Sequence, residues 1–210
     1  MAAKAPAAER RSARERLLAS AQELFYKEGI NTVGIDRVIE HAGVAKASLY
    51  DCFGSKEGLI RAYLTERHEA REKRLQEKLA QYDNPRDRLL GVFDLMADLA
   101  VESNFGGCAF IRASAEARPG SSVKGVCDES RSWIRTLFTD LARQAGAAHP
   151  ERVAAQLVLL YDGASVSAHM DRDATAAASA RAAAALMLDA AVRGARVPMK
   201  PPRRNVRARK

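Results

Sequence analysis

The stretch GIDRVIEHAGVAKASLYDCF fills residues 34–53. Ile35, Val38, Ile39 and Ala42 recur at i, i+3, i+4 and i+7, one face of a helix over residues 34–41. Gly43 breaks that helix, and a second short helix fits residues 45–53 before Gly54 breaks the pattern again. Two short helices a few residues apart, with glycine in the turn, have the layout of a helix-turn-helix. On a wheel of about 100° per residue with Leu49 inward, Phe53 and Ala45 share the inward side, while Ala47 and Asp51 point out. Tyr50 and Ser48 lie at the edges of the outward arc, and Lys46 sits on its flank. Small outward residues let the backbone approach a DNA major groove closely, and Lys46 and the Tyr50 hydroxyl are long enough to reach bases or phosphates.

The helical period continues on both sides. Leu17, Ala21, Leu24 and Phe25 mark a supporting helix over residues 11–28, closed by Gly29. Ser55 is a good cap for a fourth helix to about residue 81. Its second half, residues 66–78, is dense in both signs of charge and is expected to span solvent. Asn84-Pro85 opens a helix to about residue 103, with Leu89, Val92, Phe93 and Met96 on one face. Further helices are expected over residues 108–117, 122–144, 150–170 and from 173 or 174 to 193. No sustained alternation marks a strand, so the fold class is all-α.

The composition narrows the function. The chain has 210 residues and a formal net charge of +8, and the eight cations of residues 193–210 account for all of it. The excess is therefore a tail, expected to be disordered, and DNA binding has to be argued from the motif alone. Three cysteines do not make a disulfide framework. The alanine-rich residues 176–192 include Arg181 and Asp189, which reads as a soluble helix and not a membrane span, so a cytoplasmic location is expected. His41, His68, His149 and His169 have no metal-ligand spacing, and Glu72 stands where a zincin motif begun by His68-Glu69 would need its second histidine. Gly163-Ala164-Ser165-Val166-Ser167 lacks the second glycine of a hydrolase elbow. No enzyme activity, metal or cofactor is expected.

Ala42-Gly43-Val44-Ala45-Lys46-Ala47-Ser48-Leu49-Tyr50 followed by Phe53-Gly54-Ser55-Lys56-Glu57-Gly58-Leu59 resembles the TetR/AcrR family of bacterial transcription regulators. The resemblance covers about residues 10–65, and residues 107–111 resemble, more weakly, a segment found in some members. It implies a three-helix DNA-binding head over residues 10–65 and a helical ligand-binding and dimerisation domain over 66–193, which leaves the basic tail as residues 194–210. It also implies that Lys46, Ala47 and Ser48 approach the major groove and that Tyr50 and Lys56 hold phosphates. Gly34 and Ala45 complete the candidate DNA-binding set. The chain departs from the family at Cys52, where His or Tyr is usual, and Asp51 adds a carboxylate to the outward arc.

The implied function is a repressor that binds a palindromic double-stranded DNA operator as a homodimer and releases it when a small effector binds. The alternative is a DNA binder controlled by a protein partner or by thiol oxidation. The large side chains Phe93, Met96, Phe105, Phe110, Trp133 and Phe138 are the candidate effector-pocket walls, with Tyr161 or His169 as a polar contact. Those walls carry no charge, so an uncharged or weakly polar, hydrophobic effector is expected. Two stripes, Leu157, Leu160, Tyr161 and Ala164 in one helix and Ala178, Ala182, Leu186 and Ala190 in the next, are the candidate dimer interface.

Overall fold

A computed structural model describes residues 11–173 and 175–196. The expectation of a disordered basic tail falls mostly on residues 197–210, outside the described residues. Nine helices and no strand occur among the described residues. The first is α1 (Ala13–Glu28), begun by a capping box: the Ser12 hydroxyl accepts from the Glu15 amide, and the Glu15 carboxylate accepts from the Ser12 amide at 2.7 Å. Next come α2 (Ile35–Ala42) and α3 (Lys46–Phe53). Then α4 (Lys56–Leu79) begins behind Ser55, whose hydroxyl accepts from the Gly58 amide at 3.0 Å.

The body is built from α5 (Pro85–Ala100), α6 (Ala109–Glu116), α7 (Ser122–Gln144), α8 (Pro150–Met170) and α9 (Thr175–Arg196). Asn84 and Ser121 cap α5 and α7 through their side chains. The Asp173 carboxylate accepts from the Thr175 amide at 2.8 Å at the start of α9. Several boundaries shift by a few residues from expectation. Ala45 is the extended cap of α3 and not its first turn, α5 ends three residues sooner, and α9 runs on to Arg196.

Two cores share one long helix. Leu17, Phe25, Val38, Leu49 and Tyr63 bring α1–α4 together, and Ala109, Phe110 and Cys127 of the α6–α7 region pack into the same cluster. Leu89, Phe93, Phe138, Leu157 and Leu188 form the second core from α5, α7, α8 and α9. Along α4, Leu59, Ile60, Tyr63 and Leu64 belong to the first core, and Leu75 and Leu79 to the second. A helix anchored at both ends ties the two parts together.

By length and composition α9 is apolar enough to cross a membrane, but here it packs against α5 and α8. Its Asp189 takes a two-pronged bond from Arg86 (2.7 and 3.0 Å), and its Arg181 donates to Asp94 at 2.7 Å, both on α5.

Candidate functional site

The turn between α2 and α3 is set by Gly43, whose φ of 59° is left-handed. A Cβ there would also come within 2.7 Å of the Arg16 guanidinium, which donates to the Gly43 carbonyl at 2.6 Å. α1 thus clamps the turn with a long-range bond. Leu49 is fully buried beneath α3 and fixes the rotation of that helix. Gly58 serves the exit, because a Cβ on it would collide with the Phe53 carbonyl at 2.0 Å.

With Leu49 down, the outward face of α3 carries Lys46, Ala47, Tyr50 and Asp51, all exposed, with Ser48 half-buried at its edge. Ala45, placed inward by the helical wheel, is exposed, because it precedes the helix and does not follow its rotation. Gly34, the cap of α2, is exposed as well. Lys46 donates to Asp36 of α2 at 2.9 Å, and this bond holds its ammonium above the usual lysine range. Lys46 is therefore cationic throughout the physiological range. Lys56, the first residue of α4, is half-buried, and burial lowers its pKa while nearby Glu116 offsets part of that.

Behind the head lies a cavity of about 460 Å³ between α1, α4, α5, α6 and α8. Leu75, Val92, Leu95, Met96, Phe105 and Phe110 form much of its apolar wall, and Tyr26, Arg67 and Arg71 line it too. A second space of about 560 Å³ lies toward α7, and Arg71, Cys108, Phe110 and Tyr161 face both. α6 joins this region to the head. The Tyr26 hydroxyl accepts from the Gly106 amide and donates to the Gly107 carbonyl, while Arg112 donates to the Tyr26 carbonyl at 2.6 Å. At the far end of α6 the Glu116 carboxylate accepts from the Asn31 amide at 2.8 Å, in the turn before α2.

The pattern of the tetR family of bacterial regulatory proteins matches residues 17–63. A TetR-type transcriptional regulator of Streptomyces avermitilis (sav143) is 31% identical, with 86% of this chain and 98% of that one covered and a TM-score of 0.78. This chain belongs to the TetR family. The structure of SCO4454, a TetR-family regulator from Streptomyces coelicolor, superposes with a TM-score of 0.82 at 29% identity, over 86% of this chain and 96% of that one. The HTH-type transcriptional repressor NemR of Escherichia coli K12 is 27% identical over 169 residues, 76% of this chain and 85% of that protein. The chain is accordingly a DNA-binding transcription regulator with a helix-turn-helix head and a helical C-terminal domain, and not an enzyme.

Within this TetR-family fold, the expected pocket walls separate into two groups. Met96, Phe105, Phe110 and Tyr161 line the cavity. Phe93 and Phe138 do not: both are fully buried, with ring centroids 5.8 Å apart in the second core. Trp133 sits one layer back, its ring 5.1 Å from the Arg71 guanidinium and edge-on to His68. His169 packs against Gly107 and does not line either space.

The expectation of uncharged walls fails because α4 does not simply span solvent. Ile60, Leu64, Leu75 and Leu79 keep one apolar stripe along it, and Arg67, His68 and Arg71 fill the gap in that stripe. Reading the interrupted stripe, instead of the charge density, would have found them.

The dimer stripes need a similar correction. Ala178, Ala182, Leu186 and Ala190 of α9 are all exposed. Leu157 and Ala164 of α8 are buried in the protein's own core, and Leu160 and Tyr161 are half-buried against it. The free apolar side of α8 is instead Leu159, Gly163, Val166 and Met170. Among the described residues no His, Cys, Asp and Glu cluster is suited to a metal ion.

Proposed function

We propose that this TetR-family regulator is a repressor which binds a palindromic operator as a homodimer in the cytoplasm and is released by a small effector. Residues 10–65 would be the DNA-binding domain and residues 66–193 the effector and dimerisation domain. Lys46, Ala47 and Ser48 would enter the major groove, with Gly34 and Ala45 close to the backbone and Tyr50 and Lys56 on phosphates. The exposed stripes of α8 and α9 would pack against their copies in the second protomer.

One observation carries the effector reading. Tyr26 of the head lines the cavity and is hydrogen-bonded to the strap that leads into α6, and α6 holds the head again through Glu116. A molecule that fills the cavity has to act on contacts that also orient α1 and α2. It weakens DNA binding only by favouring an arrangement of the two heads that fits the operator less well. The test is an operator selected from random duplexes, titrated by fluorescence anisotropy with and without compounds that bind the cavity. Compounds that bind and leave operator affinity unchanged would argue against effector control.

A second reading, control by thiol oxidation, draws on the place of Cys108 between the two spaces. Cys127 is a poor sensor, since burial pushes its thiol up to about 11 and keeps it protonated. Release of operator by peroxide, lost in Cys108→Ser, would favour this second reading.

A further inference from the structure

We infer that the cavity accepts an amphipathic anion, a carboxylate on an apolar body, with Arg71 as its principal anchor and Arg67 beside it; this rests on the effector reading above and names the chemical class.

The charges around the cavity do not cancel. Of its carboxylates, Glu102 is paired with Arg74, and Glu66 accepts from the Gln22 amide at 2.6 Å. In the adjoining space Asp128 is paired with Lys124 and Asp162 with Arg131. Arg67 and Arg71 have no carboxylate within ion-pair distance among the described residues. The Arg67 guanidinium carbon lies over the Tyr26 ring, 3.6 Å from its centroid. Arg71 stands between Phe110 (4.7 Å) and Trp133 (5.1 Å). One terminal nitrogen of Arg71 donates to the Ser130 hydroxyl at 2.7 Å and faces His68 Nδ1 at 3.1 Å. The Nε of each guanidinium is buried without a hydrogen-bond partner.

Both side chains line the cavity, and guanidinium forks are shaped for planar oxyanions. Aromatic rings from α1, α6 and α7 and the Ser130 hydroxyl restrain both forks, so less order is lost when a carboxylate arrives. His68 adds no positive charge of its own: burial, and then the Arg71 charge, push its pKa below the usual 6.5, so at neutral pH it is neutral and its Nδ1 can accept from one Arg71 nitrogen. The Tyr161 hydroxyl, facing the same space, is held protonated by burial and is available as a donor. Opposite these groups, Leu75, Val92, Leu95, Met96 and Leu99 offer an aliphatic wall for the rest of the molecule.

Paired probes on the full-length protein test this: decanoate against decanamide, and 4-phenylbutyrate against 4-phenylbutyramide. Binding is measured by calorimetry, and operator release by anisotropy in parallel. The carboxylate of a pair should bind at least about tenfold more tightly than its amide. Arg71→Gln should bring the two within about twofold, Arg71→Lys should keep part of the preference, and Arg67→Gln should reduce it. Circular dichroism identifies any variant that does not fold, and Arg67→Gln or Arg71→Lys then carries the test. Amides that bind as well as acids, an acid preference that survives in Arg71→Gln, or no binding by either acid would overturn the proposal. Acids that bind through Arg71 but leave operator affinity unchanged would sustain the anion site and overturn effector control. Release by a neutral compound that ignores Arg71 would do the reverse.

Discussion

Lys46 is held by Asp36 in the free protein, and a DNA phosphate or base that takes it over must first undo that pair. Both partners are exposed, so the bond itself is weak, but the carboxylate also repels DNA. Asp36→Asn should tighten operator binding by about two- to fivefold at low salt and less at high salt. An anisotropy titration that finds weaker binding would show that Asp36 positions α3 more than it masks Lys46. Lys56→Ala should weaken all sequences alike and lower the slope of log K against log salt by about one unit. His68 adds a pH dependence. Its folded pKa lies below the 6.5 of the free side chain, so below that value the unfolded chain binds the proton first. The stability it supports is present above pH 6.5 and is lost as pH falls. His68→Phe, which keeps a ring against Phe110 and Trp133, should show a smaller stability loss between pH 7.5 and 5.5 in urea unfolding than the parent. An equal loss in both proteins would contradict this.

At the scale of the element, α3 depends on one buried side chain. Leu49→Ala should cost about 2–5 kcal/mol and release the recognition helix, seen as a lower Tm together with lost operator binding. The same residue explains why the head was legible in the sequence. An eight-residue helix with Leu49 inward leaves no freedom in which side chains point out, and glycines at 43 and 54 mark its ends. Ala45 escapes the wheel because it precedes the first helical residue, Lys46, and has extended backbone. The cavity was less legible. A large apolar side chain looks the same in a sequence whether it closes a core, as Phe93 and Phe138 do, or lines a space, as Met96 and Phe105 do. Arginines in α4 read as solvated because charge density says nothing about the aromatic rings from α1, α6 and α7 that cover them. The α8 stripe failed for a related reason. Leu157 and Leu159 are both leucines near the middle of one helix, and only the packing of α7 and α9 decides which is inside.

At the scale of the whole molecule, the proposed dimer has to hold two heads at a fixed separation, and we propose the exposed stripes of α8 and α9 as the material for that. Leu159 is 69% exposed and Leu186 71% exposed, and a second protomer that covers them would take this apolar surface out of water. Leu159→Glu with Leu186→Glu should give a folded monomer by light scattering, whereas Leu157→Ala should destabilise the protomer itself. A double variant that stays dimeric at micromolar concentration would move the interface elsewhere. The most direct measurement is the stoichiometry and symmetry of the operator complex, taken on the best duplex selected from a random pool, with the Lys46→Ala/Tyr50→Ala double variant alongside. Two protomers should sit on an inverted repeat whose half-site centres are one DNA turn apart or slightly more, about 34–36 Å, and the double variant should lose most of that affinity. A single protomer on a site without two-fold symmetry, or a double variant that binds as tightly as the parent, would contradict it.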